Sequence, residues 1–293
     1  MRSSPHPTAT LRLGAMLLLT ALGAPVAAIP QSTAPPLPDF PTLINQVREH
    51  QRQMESVQEN YTFHEVITNQ MLNKDGSVKK TESEESEVFF VNTHEVRRLL
   101  KKDGKALDAD QENKEQERIT KCVEKAQQTP PGQAPNGEVV ISVGRILAMA
   151  KVSSPRREMV DGRSSIAFDF VGDPHAKAHN IAEEAARRTS GTVWIDEQDR
   201  QVRRMVAHLT DNVHGGFGLF SLSKGSNLDF EQKLVNNELW LPTSASLYII
   251  AHEMGIIGVR ANIQVADNDY KKFHADAQQE AGATAVSGTP AAH

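Results

Sequence analysis

Three His-Glu dipeptides, His64-Glu65, His94-Glu95 and His252-Glu253, are the first residues in this 293-residue chain whose types suggest catalysis. A zinc hydrolase helix places a second His four residues after the first, so that both imidazoles share one helix face. Here those positions are Thr68, Arg98 and Ile256, and all three pairs fall in strand-like sequence. His175 and His179 do have the four-residue spacing, yet no third His or carboxylate stands beside them to complete a metal site. His214-Gly-Gly-Phe-Gly218 is glycine-rich but lacks the Lys-Ser/Thr of a phosphate loop, and it reads as a tight loop between strands. Cys122 sits among Glu and Lys without a clear His partner, so it reads as a spare thiol. No serine stands in a nucleophile-elbow pattern. The spacing therefore predicts no catalytic residue, no metal and no cofactor. A hydrolase whose groups converge from distant strands is the one enzyme reading that spacing leaves open.

The elements that would position any site begin after residue 28. Arg2 and Arg12 precede or border the apolar run Leu13–Leu22, and Val26, Ala27 and Ala28 supply a small-residue cleavage region. That order reads as a secretory signal peptide over 1–28. A membrane-spanning helix needs about 20 apolar residues, and Pro25 and Pro30 interrupt this run. The mature chain is expected to be periplasmic or secreted, with no transmembrane segment. Loss of the two arginines takes the formal charge from −5 to −7, which argues against nucleic acid or an anionic membrane surface as partner. A single cysteine allows no intrachain disulfide. Stability must come from a core that is mainly aliphatic, because only 5% of residues are aromatic.

Residues 29–41 hold five prolines and read as an extended linker, and 275–293 read as a disordered tail. Between them, apolar positions at Leu43, Ile44, Val47, Met54 and Val57 predict a helix over about 42–60. Tyr61 to Leu72 and Val78 to Val91, joined by Lys74-Asp-Gly-Ser77, predict a hairpin. A third strand is expected over 95–100 and a solvated helix over 108–128. Residues 139–152 have helical or strand character, with helix favoured, 174–188 read as helical, and Ile166, Phe168 and Phe170 alternate as in a half-buried strand. From Gly191 on, strands are expected at 192–195, 202–209, 230–234, 239–241, 244–251 and 259–265. The fold class is α+β: an incomplete antiparallel β-barrel, a strongly curved sheet whose open side is covered by helices. The domain spans 42–274, with a helical insertion around 108–190.

Such a sheet can leave an apolar space beneath its helices, or its inward residues can simply fill a packed core. The inward candidates are Phe63, Ile67, Phe168, Phe170, Val193, Ile195, Met205, Leu209, Phe230 and Leu247.

The order of these segments resembles the LolA-like family of outer-membrane lipoprotein-sorting proteins, which shares its fold with LolB and the N-terminal domain of RseB-type stress regulators. The resemblance rests on the opening amphipathic helix with Tyr61 beyond it, the turns at Lys74-Asp-Gly76 and Asp103-Gly-Lys-Ala-Leu107, and the Gly191-Thr-Val-Trp-Ile-Asp196 to Arg203-Arg-Met205 hairpin. It also rests on the closing run Phe230 to Pro242. It implies a periplasmic binding protein whose half-barrel receives lipid or lipoprotein acyl chains. The alternative it implies is a regulatory or scaffold module with a filled interior that binds an envelope protein.

Overall fold

The computed structural model describes residues 35–131, 133, 135, 143–215, 220–253 and 257–273. The signal peptide, residues 29–34 of the proline-rich linker and the C-terminal tail expected from sequence lie outside these residues, while Phe40 and Pro41 at the end of that linker already belong to the first helix.

The first helix, α1, runs Phe40–Gln58. Asp39 caps it by accepting the Thr42 N–H at 3.0 Å, and Pro41 occupies the first turn, where its missing N–H costs nothing. Strand β1 (Tyr61–Leu72) and β2 (Val78–Val91) follow as the expected hairpin, with Gly76 at φ +86° in the turn. Strand β3 (His94–Lys102) and the two-residue β4 (Lys105–Ala106) continue the meander. The two-residue connections Asn92-Thr93 and Asp103-Gly104 have positive φ at both positions, as does Asp161-Gly162 further on. This is the primed turn whose twist matches that of paired strands.

Helix α2 (Ala109–Gln128) opens with a reciprocal capping box between Asp108 and Gln111. It lies beside β3 and closes much of that strand's free edge with its own side chains. Glu115 accepts the Leu99 N–H at 2.7 Å, and Arg118 donates to the Arg97 carbonyl. Ile119 and Ala126 bury against Val96, with Phe89 and Val91 beside them. An unpaired strand edge is a template for aggregation, and here charged side chains occupy it.

Helix α3 (Val143–Ala148), strands β5 (Ala150–Val160) and β6 (Arg163–Gly172), and helix α4 (Ile181–Ala186) come next. Among the described residues of the two expected helices, helix covers 143–148 and 181–186, and residues 150–152 are strand; residues 139–142 lie outside the described residues. The residues before α4 are left out of it because Asn180 caps at that point, accepting the Glu183 N–H at 2.9 Å. Within 108–190 the chain therefore supplies strands of the main sheet as well as helices. Pro155 is tolerated in β5 because it sits at a bulge, between the paired positions Ser153 and Arg156, on the sheet's outermost strand.

Strands β7 (Thr189–Asp196) and β8 (Val202–Leu209) form the second expected hairpin. Two short strands, β9 (Val213–Gly215) and β10 (Phe220–Leu222), flank the glycine-rich segment and were not expected. Each is three residues, too short for a periodic signal. The last three are long: β11 (Asn227–Val235), β12 (Leu239–Glu253) and β13 (Ile257–Lys272). The two separate strands expected around 239–251 are one strand.

All strand pairs are antiparallel, in the order β4-β3-β2-β1-β13-β12-β11-β8-β7-β6-β5, with β10 pairing β12 and β9 off this path. The sheet is open, not closed, and β1 pairs with β13, so the first and last strands of the sheet are neighbours. The α+β class with an open antiparallel sheet and covering helices is the one expected. The principal core forms where α1 (Leu43, Ile44, Val47) and α3 (Leu147) meet Ile166, Phe168, Phe170, Val193, Ile195 and Met205. Phe40 stacks edge-on against Phe168, with ring centroids 5.3 Å apart. The C-terminal half of α1 brings Met54 and Val57 against Tyr61, Leu239 and Leu241.

Candidate functional site

Strand register aligns the inward residues into rows that cross most of the sheet. One row reads Phe168, Val193, Met205, Phe230, Ala245, Val265, Ile67, each paired with the next across a ladder. The row beside it reads Phe170, Gly191, Ala207, Leu228, Leu247, Ile263, Asn69. Side chains of a row share one face, because paired residues point the same way while neighbours along a strand alternate.

The two ends of these rows have different surroundings. From β6 to β8 the side chains are buried beneath α1 and α3. From β11 to β1 the apolar residues Leu228, Phe230, Leu247, Ile263, Val265 and Ile67 are only half-buried. Between the two regions lies a cleft of about 260 Å³. Its roof is α3 and α4, through Ile146, Ala182, Ala185 and Ala186, and its floor is Met205, Ala207, Leu209, Leu222, Leu228, Leu247 and Ile249. Short alanine side chains on α4 leave this space, where longer ones would fill it.

A group of charged residues shares this face. Along β1 the inward residues are Tyr61, Phe63, Glu65, Ile67, Asn69 and Met71, so Glu65 separates a packed end from an apolar end. Glu65 is buried, and it lies opposite Asp267 in the β1–β13 ladder. Arg97 donates to Glu65 at 2.8 Å and also binds Glu95. Asp267 is only 7% exposed, and its Oδ1 has no hydrogen-bond partner among the described residues. Burial first, and then the neighbouring charges of Glu65 and Glu95, push its carboxyl up to about 7. Lost hydration raises Glu95 as well, outweighing Arg97, although a third of its side chain still meets solvent.

The structure distributes the ten sequence candidates unevenly. Phe168, Phe170, Val193 and Ile195 lie in the closed core beneath α1. Phe63 packs with Val88 and Phe90 in a separate cluster, 5.6 Å from the Tyr270 ring. Met205, Leu209 and Leu247 line the cleft, and Phe230 and Ile67 lie on the half-buried face beside it. The sequence reading missed the α4 alanines and the carboxylate group. Glu65 stood in a His-Glu pair, but its partner residue, Asp267, is 202 positions away and no spacing signal joins them.

The His-Glu pairs are dispersed. His94 is buried and bonds the Thr129 carbonyl at 2.9 Å through Nε2, while His64 faces Glu85 at 3.5 Å. His252 pairs with Ser223 at 3.2 Å, and His208 with Ser190 at 3.0 Å. Neither Ser-His pair has a carboxylate bonded to its imidazole among the described residues. Nor does any group of three His, Cys, Asp or Glu there have the arrangement to hold a metal ion. No helix among them is long and apolar enough to cross a membrane.

Comparison with known proteins gives the following. No protein-family model and no curated protein matches the chain. A DUF1329 family protein from Desulfovibrio piger matches over 83% of this chain and 98% of its own, at 9% identity and a TM-score of 0.33. A putative outer membrane lipoprotein-sorting protein domain from Vibrio parahaemolyticus covers 82% and 98% at 8% identity, with a TM-score of 0.28. A LolA superfamily protein from Nitrosomonas europaea covers 78% and 94% at 9% identity, also with a TM-score of 0.28. The last two are described in terms of the lipoprotein-sorting family that the order of the sequence segments resembles. At such scores the likeness assigns neither ligand nor partner to this chain.

Proposed function

We propose that this chain is a non-enzymatic carrier, exported behind the signal peptide of residues 1–28, that holds an apolar ligand on the open half of its sheet. The ligand class is lipid or the acyl chain of a lipoprotein. The observation that supports this is the continuity between the 260 Å³ cleft beneath α4 and the half-buried apolar face of β11, β12, β13 and β1. An acyl chain crossing water gains about 0.8 kcal/mol per buried methylene, so such a strip is worth several kcal/mol to a ligand. Met205, Leu209, Leu247, Phe230 and Ile67 are the contact residues in this reading, while Phe168, Phe170, Val193 and Ile195 support them from the core.

A second reading has one observation in its favour. The half of the face beneath α1 is filled, as a scaffold or regulatory module that binds an envelope protein would be. Native mass spectrometry of periplasmic protein before and after organic extraction separates the two. A co-purifying lipid or acylated peptide, lost when Leu247→Trp fills the cleft, supports the carrier. A ligand-free protein that also ignores added lipid moves the assignment to the scaffold.

A further inference from the structure

The open apolar face ends on an acidic group with too few cations. Among the described residues Glu65, Glu95 and Asp267 share one guanidinium, that of Arg97, which is taken up by Glu65 and Glu95. Asp267 is the unsatisfied member: its side chain is buried, and Oδ1 is shielded from solvent with no partner among the described residues. A buried carboxylate left without a donor is costly, and a site that retains one has room in its chemistry for a cation. The group is also reachable, because the side chains of Glu95 and Arg97 are 33% and 49% exposed.

Its position relative to the apolar face is the second observation. Asp267, Val265 and Ile263 are successive inward residues of β13, and Ile263 pairs with Leu247 in the floor of the cleft. The four-residue separation of Asp267 and Ile263 spans roughly 13 Å along the strand. A charged group and an apolar strip are thus collinear at a distance that one extended alkyl chain covers.

Building on the carrier reading above, we propose that the ligand is an amphiphile with a cationic amine head. Its ammonium sits at Asp267 and Glu65, and its tail runs along Val265 and Ile263 towards Leu247. An ammonium supplies the donors that Asp267 lacks and offsets the surplus negative charge of the group.

The test is calorimetric titration of the purified full-length chain at pH 8 with dodecylamine, dodecanol and dodecanoate, each below its micelle concentration. Dodecylamine is expected to bind at least tenfold more tightly than dodecanol, and dodecanoate more weakly than both. In Asp267→Asn the amine-to-alcohol ratio falls towards one while dodecanol affinity is kept; Glu65→Gln reports the same if it folds. Equal binding of all three probes, or an amine preference that survives Asp267→Asn, overturns the amine assignment and leaves the carrier standing. Failure of every probe to bind overturns the carrier reading itself.

Discussion

Glu65 and Asp267 face one another across the β1–β13 ladder, two buried carboxylates directly opposed on neighbouring strands. Like charges in that position destabilise a sheet. Arg97 relieves Glu65 through a 2.8 Å bond, and Asp267 responds by holding its proton up to about pH 7.

That arrangement makes stability depend on pH in a definite direction. The folded protein keeps the Asp267 proton to about 7, while the unfolded chain releases it near the ordinary 3.8. The folded state therefore binds the extra proton between these values, and stability falls as pH rises through that window. Asp267→Asn removes the penalty. It should stabilise the protein at pH 8 by on the order of 2 kcal/mol, after discounting for solvent reaching the group. At pH 4 it should give no gain. Urea midpoints at the two pH values check this, and an equal effect at both would count against the burial of Asp267.

Core and cleft should answer truncation differently. Phe170 is 1% exposed beneath α1, so Phe170→Ala should cost about 3–5 kcal/mol. Leu247 is half-buried beside space that already exists, and Leu247→Ala should cost about 1 kcal/mol or less. Chemical denaturation of the two variants measures the contrast. Similar losses would mean that the cleft region is packed as tightly as the core.

Gly191 lies between Phe170 and Ala207 in the second row, where β7 and β8 approach closely. A Cβ built there would stand 1.9 Å from the Val206 carbonyl oxygen, a clash with backbone that no side-chain movement relieves. Gly191→Ala should cost on the order of 4 kcal/mol and reduce the yield of folded protein. Gly76→Ala meets open space and strains only a positive φ, so its cost should be about 1 kcal/mol. Thermal melts of the pair distinguish close approach from simple backbone conformation.

The edge of β3 is guarded by two side chains of α2. Removing both, as Glu115→Ala with Arg118→Ala, should cost about 1–3 kcal/mol and expose the Leu99 N–H and Arg97 carbonyl. Concentration-dependent association, followed by light scattering, should then appear. A variant that loses stability but stays monomeric would show that the edge has other protection.

Local chemistry alone placed the elements with strong periodic or turn signals. The β1–β2 hairpin was legible because β-rich runs flank Lys74-Asp-Gly-Ser77, and α1 was legible from its apolar stripe behind Asp39 and Pro41. The Met205, Ala207, Leu209 alternation identified the inward face of β8. Tertiary structure alone decided which inward residues are core and which line open space. That depends on where α1, α3 and α4 rest, and Phe168 and Phe230 look alike in sequence although they occupy one row. Tertiary structure alone also brought Glu65 to Asp267, because pairing of β1 with β13 joins segments from opposite ends of the chain. Hydrophobic period reports only neighbours a few residues apart, whereas register, roof and charge balance arise from contacts that no spacing encodes.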